Sequence, residues 1–575
     1  MRRQVRQEDE ARTVRWAPSH HRLISFSLVS ILAIAGCALA GCTRTSNATL
    51  PSIASPIHYP ANTTGSAALG GPIRSPGGPY LYDQEGRVVF FHGVNAVYKL
   101  PPYELYPAPG KRWDFTAADA SLMASLGFNV VRLGITWKGL EPGTAQANDP
   151  AICTPGTPRD PGQFNQAVLD RYLGNVSRTV ELLARFHIYT LLDMHQDVYN
   201  EAFDGEGAPN WAVCTNGVPS KDPPGRWSRN YATTAAGIAY RHFWKNDVVG
   251  DLQGEYDRVW TAVATYFRSN SWVLGYDPFN EPFSTSLVDI RDEVFDGQLQ
   301  CFYTGTAFIG SPNHGAPAIS CPPSDPASGL IPRILSADSN HLIFYEPDIY
   351  ARHGAANFVG PMNFRNLVFN VHIYCSYRSG KTGNPTDIAA CVSQEVRALK
   401  TRSEDRSELA TPAQTGGSAW FVSEFGATSN PQLLNEITKQ EDLFLVSWTY
   451  WSWKYYDDPT GSADEALVTY QGKLRSTALA LARTYPEAVA GKPTSLLFDP
   501  TNGAFHLVYT PDHAIHAPTV VFVPTQIHYP DGYCARVTGG TVVSRPGSEF
   551  LEVKNAASGG PVSVTVIPGR CNAGG

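Results

Sequence analysis

Gly275-Tyr-Asp-Pro-Phe-Asn-Glu-Pro-Phe283 and Trp420-Phe-Val-Ser-Glu-Phe-Gly426 each contain a short apolar or aromatic run that leads to a glutamate. Such runs read as buried parallel strands, with Glu281 and Glu424 at the C-terminal mouths where a strand-helix barrel gathers its chemistry. The two acids are remote in sequence, so only a tertiary fold can bring them into one cleft.

The surrounding chain has the alternation such a fold needs. Helical spacing over Phe115–Leu126 leads to a strand at Asn129–Gly134, Val168–Phe186 to Tyr189–His195, and Tyr256–Phe267 to Val273–Asn280. Further strands read at Leu342–Glu346, Leu367–Tyr374, Ala419–Glu424 and Leu445–Trp451, and one more ends at Asn95 after a hairpin around Gln84-Glu85-Gly86. The pattern predicts an α/β fold, a (β/α)8 TIM barrel over residues 80–491, with long insertions near 142–165, 200–250 and 283–330. Beyond Gly491 the helical period gives way to short alternating runs at Ser495–Leu507, Thr519–Pro524, Thr541–Ser544 and Phe550–Val566, so 492–575 reads as a C-terminal β-sandwich. Its strands carry no Trp, which favours a buttress over a sugar-stacking module.

The amino terminus reads differently. Arg2, Arg3, Arg6, Arg12, Arg15 and Arg22 precede an uncharged apolar run, Leu23–Ala40, that ends in Leu39-Ala-Gly-Cys42. Residues 1–41 read as an export signal of lipoprotein type, Cys42 as a lipidation site, and 42–79 as a flexible linker. The protein is therefore expected outside the cytoplasm, as a bacterial cell-surface lipoprotein or a secreted enzyme, with the membrane surface as a partner through the lipid. Taking away 1–41 removes six Arg and three acids, so the formal charge goes from −7 to −7 − 3 = −10. A mildly acidic chain without a basic stripe is not built for nucleic acid. Ten cysteines less Cys37 and Cys42 leave eight, an even number that suggests disulfides in an exported chain. Sequence-local pairing gives Cys153–Cys214, Cys301–Cys321, Cys375–Cys391 and Cys534–Cys571, and no close CxxC spacing marks a metal site.

Other chemistry-bearing residues also fall at strand ends: Arg132, His195, Asn280, His372, Tyr374 and Trp451. Singly each has a structural explanation; together they point to one pocket. The order Arg, His, Asn-Glu-Pro, His-x-Tyr, Glu, Trp resembles glycoside hydrolase family 5. The words Gly93-Val-Asn-Ala-Val-Tyr-Lys-Leu-Pro-Pro102, Leu192-Asp-Met-His-Gln-Asp-Val198, Gly207-Ala-Pro-Asn-Trp-Ala212 and Ser447-Trp-Thr-Tyr-Trp-Ser-Trp-Lys454 are similar to its endoglycoceramidase and glucosylceramidase-like branch.

That resemblance implies a retaining β-glycosidase with Glu281 as acid/base and Glu424 as nucleophile, needing no metal or other cofactor. It implies that Arg132 and Tyr374 keep Glu424 ionised and aimed, that Asn280 meets the sugar 2-hydroxyl, and that His195, His372 and Trp451 shape the subsite. Lys99 and Asp197 would contact glycan hydroxyls. Phe283 stands where a Trp is common in the branch. The expected substrate is a glycosphingolipid or another β-glucoside, with Trp211, Trp227, Tyr231, Phe243 and Trp244 as candidate lipid-facing aromatics. Alternatives are a β-glucosidase on glucosylceramide or steryl glucosides, a family 5 endoglucanase, or a carbohydrate-binding lipoprotein without catalysis. Oligomeric state is not legible in the sequence.

Overall fold

A computed structural model of the chain describes residues 69–147, 153–154, 164–219, 227–248, 251–283, 293–306, 321, 329–350, 359, 362, 364–375, 385–408 and 417–571. The export signal, Cys42 and most of the expected linker lie outside these residues. The described end of that linker is packed: Leu69 and Ile73 are buried, and Ser75 Oγ donates to the Leu367 carbonyl at 2.8 Å. A flexible tether as far as residue 79 is thus corrected. No helix among the described residues is long and apolar enough to cross a membrane.

A short hairpin, β1 (Leu81–Tyr82) and β2 (Val88–Val89), precedes β3 (His92–Ala96). There follow β4 (Val130–Ile135), β5 (Tyr189–Met194), β6 (Val273–Asp277), β7 (Leu342–Tyr345), β8 (Leu367–Ile373), β9 (Ala419–Gly426) and β10 (Ser447–Trp451). These close into a parallel barrel in the order β10-β3-β4-β5-β6-β7-β8-β9. The strands are buried nearly throughout, because helices cover their outer faces and side chains fill the interior.

The helices form where the period and caps demand. Helix Gln166–Ala184 starts at Asn165, whose side chain accepts from the N–H groups of Ala167 and Val168, and it buries Leu169, Tyr172, Leu173, Val176, Val180 and Leu183 along one face. Helix Pro431–Phe444 follows the cap Asn430 with proline in its first turn, where no intrahelical N–H is lost.

The remaining strands are β11 (Tyr485–Val489), β12 (Gly491–Asp499), β13 (Ala504–Pro511), β14 (Thr519–Phe522), β15 (Tyr533–Thr538), β16 (Gly540–Val542), β17 (Phe550–Asn555) and β18 (Val562–Pro568). They make two sheets, β1-β2-β11-β14-β17-β16 and β12-β13-β18-β15. The run read as one segment over 495–507 is a hairpin, turned by Gly503 at φ +67°. The amino-terminal hairpin belongs to the sandwich sheet through β2–β11 pairing, and the sandwich begins at Tyr485, ahead of the expected boundary at 491.

Sandwich and barrel share a packed seam. His92 of β3 stacks between Trp448 at 4.1 Å and Tyr485 at 3.8 Å, and buried Arg483 pairs with Asp442 and donates to the Phe498 carbonyl at 3.2 Å. The four sequence-local disulfides are all present.

Candidate active site

Arg132, from the interior face of β4, is fully buried at the centre of the barrel mouth. One terminal nitrogen donates to Glu424 Oε1 at 2.6 Å and Asn95 Oδ1 at 3.2 Å. The other reaches Asn280 Oδ1 at 2.8 Å, Asp193 Oδ1 at 2.9 Å and Glu346 Oε1 at 3.1 Å, while Nε donates to Asp277 Oδ2 at 2.9 Å. A guanidinium suits this position because its planar fork keeps its charge when desolvated and serves several acceptors at once.

Glu424 stands near the end of β9. Two residues on, Gly426 has φ +88°, and a Cβ there would lie 2.4 Å from the Tyr450 ring, so the Glu-Phe-Gly turn needs its glycine. Tyr374 donates its hydroxyl to Glu424 Oε2 at 2.8 Å. Burial raises the Glu424 carboxyl above the ordinary glutamate value against the pull of His372 and Arg132, and Glu281 adds to the rise. Both contacts expected to keep Glu424 ionised are made, yet desolvation outweighs them.

Glu281 follows β6 with its backbone left-handed at φ +45°, which is uncommon for a residue with a Cβ. Neighbours hold it there. Glu346 Oε2 accepts the Glu281 N–H at 2.9 Å, and the Gln196 amide donates to the carbonyls of Asn280 and Glu281 at 2.8 and 3.1 Å. His372 Nδ1 lies 3.0 Å from Glu281 Oε1 and 3.4 Å from Glu424 Oε2, and its Nε2 lies 3.2 Å from Glu346 Oε1. Burial opposes charge on this ring, but Glu346 and Glu424 outweigh it and raise its pKa well above the usual histidine range. The ring that bridges the two glutamates is thereby biased toward its protonated form.

The opposite wall carries a second cluster. Lys99 pairs with Asp197, lies 3.4 Å from Glu206 Oε1, and donates to Thr460 Oγ1 at 2.8 Å. Its Nζ sits 4.6 Å from the Trp451 ring centre, and His195 stacks on that ring at 5.3 Å. His195 Nδ1 bonds Asp193 at 2.7 Å; burial disfavours its charge, Asp193 favours it more, and its pKa is pushed up to about 9. Its Nε2 is 3.7 Å from Asp197 and 3.9 Å from Glu206, beyond hydrogen-bond length and open to a sugar hydroxyl.

Two groups of donors, His195–Asp197–Glu206 and Glu281–His372–Glu424, are each compact enough to hold a metal. The first already contains the Lys99 ammonium, and in the second His372 Nδ1 is already shared between Glu281 at 3.0 Å and Glu424 at 3.4 Å. A metal fits neither as the residues stand.

The structure brings Lys99, Arg132, His195, Asp197, Asn280, Glu281, His372, Tyr374, Glu424 and Trp451 to one mouth. Sequence reasoning missed Asp193, Asp277, Asn95, Glu206, Glu346 and Asn370. Asp193 and His195 alternate on one strand face, and Glu346 closes an expected strand, so those two were within reach of the pattern. The candidate lipid-facing aromatics are corrected: Trp211, Phe243 and Trp244 are fully buried, and Tyr231 is nearly so. They pack the insertion against the barrel; the Trp227 side chain lies outside the described residues. Phe283 is buried against Tyr231 and Tyr240, ring centres 4.8 and 5.2 Å away.

One oxygen of Glu281 and one of Glu424 lie within 4.8 Å of each other. Facing carboxyls this close leave no room for a water between nucleophile and sugar, so barrel and site together define a retaining glycosidase. The chain belongs to glycoside hydrolase family 5: the profile described as "Cellulase (glycosyl hydrolase family 5)" matches residues 106–457, and the "Glycoside hydrolase family 5 C-terminal domain" matches 483–566. It is 28% identical over 516 residues to endoglycoceramidase I of Rhodococcus hoagii (strain 103S), covering 86% of this chain and 88% of that one. It is 26% identical over 497 residues to the endoglycoceramidase of Hydra vulgaris, covering 82% and 84%. Among solved structures, the ganglioside GM3 complex of endo-glycoceramidase II from Rhodococcus sp. shares the fold with a TM-score of 0.64 at 23% identity, over 85% of this chain and 99% of that one.

Proposed function

We propose that the protein hydrolyses the β-glucosyl bond between the glycan and ceramide of glycosphingolipids. Glu424 attacks the anomeric carbon while Glu281 gives its proton to the departing ceramide oxygen, leaving a glycosyl ester on Glu424. Water then attacks the same carbon, passes a proton to Glu281 and releases Glu424. Asn280 is suited to meet the 2-hydroxyl, since Arg132 occupies its carbonyl oxygen and one amide hydrogen goes to the Gln196 carbonyl at 2.9 Å, leaving the second without an acceptor among the described residues.

The observation that carries the chemistry is the Glu281–Glu424 approach within 4.8 Å, with His372 Nδ1 between them at 3.0 and 3.4 Å. The substrate reading rests on the two curated relatives, both endoglycoceramidases matched over most of their length, and on the polar Lys99–Asp197–His195 wall for the sugar. We further propose that Cys42 carries lipid and holds the enzyme at a cell surface, which mass spectrometry of the mature amino terminus would test.

The test of substrate offers the protein without residues 1–41 glucosylceramide, lactosylceramide, gangliosides, a steryl glucoside and soluble glucan in detergent. Release of ceramide with the oligosaccharide intact is expected. Turnover of glucan alone, or of steryl glucoside alone, would overturn the reading.

A further inference from the structure

A groove of about 510 Å³ lies beside the active-site mouth, lined by Lys111, Arg112, Asp114, Lys454, Tyr470 and Gln471 among others. It is formed by the loop after β3, the helix Ala117–Ser125 that follows and the loop after β10; the same two loops bring Lys99 and Thr460 to the central site, where Trp451 ends β10. The link between the two is packed: Tyr98, next to Lys99, meets Trp113 at a tilt with ring centres 5.9 Å apart and Tyr456 edge-on at 5.3 Å.

Position in the barrel says which part of a substrate can reach this groove. In the closed order β10 stands half a turn from β6, which leads to Glu281. The proton donor marks the side on which the leaving group departs, so the β10–β3 wall faces the glycan that stays.

Charge says what the groove favours. Asp119 is buried and neutralised by Lys454 at 2.8 Å, and Asp114 accepts the Ala108 N–H at 2.8 Å. Among the described residues, Lys111 is exposed and pairs with no acid, and Arg112 pairs with Asp457 alone, itself 73% exposed. Two cations open to solvent stand near Tyr470, 52% exposed, whose ring can lie against a sugar face.

We propose that this groove is a distal glycan subsite that takes an acidic sugar, whose carboxylate is met by Lys111 and Arg112. The proposal rests on the glycosphingolipid reading and adds a preference for glycans bearing a carboxylate beyond the sugars at the cleavage point. Arg112 supplies the planar fork that matches a carboxylate, and Lys111 a mobile second charge.

The test compares kcat/KM on lactosylceramide and on its sialylated derivative, in one detergent at low ionic strength, for the wild type and for Lys111→Ala/Arg112→Ala. The variant is expected to lose about fivefold more on the sialylated lipid than on the neutral one, which corresponds to about 1 kcal/mol from two exposed contacts. Added salt should erase the same difference in the wild type. Equal losses on both lipids, or none on either, with unchanged melting temperature, would overturn the subsite while leaving the activity standing. A wild type inactive on both lipids would overturn the glycosphingolipid reading and the subsite with it.

Discussion

Glu346 accepts the backbone N–H of Glu281 at 2.9 Å, so one carboxylate fixes the main chain of another. Its second oxygen takes Arg132 at 3.1 Å and faces His372 at 3.2 Å. The left-handed turn at Glu281, the charge on His372 and the guanidinium under Glu424 thus meet in one buried side chain.

Glu346→Gln keeps the shape of that side chain and removes its charge. A hydrogen bond to a charged group contributes about 1.5–3 kcal/mol, so kcat should fall by roughly tenfold or more with KM changed less. The pH–rate profile should shift as well, because His372 loses one of the three acids that favour its proton. An unchanged profile would leave Glu346 a purely structural residue.

Glu281→Gln separates the acid from the nucleophile. Without a proton donor, cleavage of a ceramide glycoside should drop by about 10²–10⁴-fold. An aryl glycoside with a strongly acidic phenol leaves unaided, so its glycosylation step should fall far less. Equal losses on the two substrates, measured as burst rates, would remove the donor role from Glu281.

The acid limb of kcat/KM should lie above the ordinary glutamate value, since burial raises the Glu424 carboxyl and activity is lost as pH falls through it. Tyr374→Phe removes a donor that favours the carboxylate. A net hydrogen bond of about 1 kcal/mol corresponds to somewhat under one pH unit, so the limb should move upward by that order. Movement downward would contradict the assignment.

Glu395 and Glu441 are buried on facing helices, Pro385–Glu408 and Pro431–Phe444, behind β9. Burial pushes Glu395 up to about 8, and burial with Glu395 close by raises Glu441. An acid with a raised folded pKa stays protonated while its unfolded form ionises, so its stabilising effect is whole below about 4.5 and fades as pH climbs toward 8. The melting temperature should therefore fall over that range, and Glu395→Gln should flatten the fall by more than about 1 kcal/mol, read by calorimetry.

The barrel was legible because its strands are short apolar runs, and His195, Glu281, His372 and Glu424 each stand near a C-terminal end, whereas Arg132, expected at an end, is the third of six residues in β4. The acids around Arg132 were harder to see. Asp277 carries no motif, and only burial beside the guanidinium, with the Asn370 amide donating to it at 2.7 Å, gives it a purpose. The hairpin at Leu81–Val89 was misplaced because its partner β11 lies at the far end of the catalytic domain, and local pattern says nothing of so distant a pairing. The aromatic insertion misled for the reverse reason: Trp211 and Trp244 stand in a polar sequence, yet their N–H groups reach the carbonyls of Glu141 at 3.0 Å and Phe283 at 2.9 Å, which lets the rings be buried.

The central claim, that Glu424 is the nucleophile of a retaining cleavage with Glu281 as its acid and base, is tested most directly by Glu424→Gly with and without azide. Turnover of lactosyl aryl glycoside should fall by about 10⁴-fold or more and recover in part with azide, giving the α-lactosyl azide of inverted configuration by NMR. Near-normal turnover without azide, or a β-configured azide product, would contradict it.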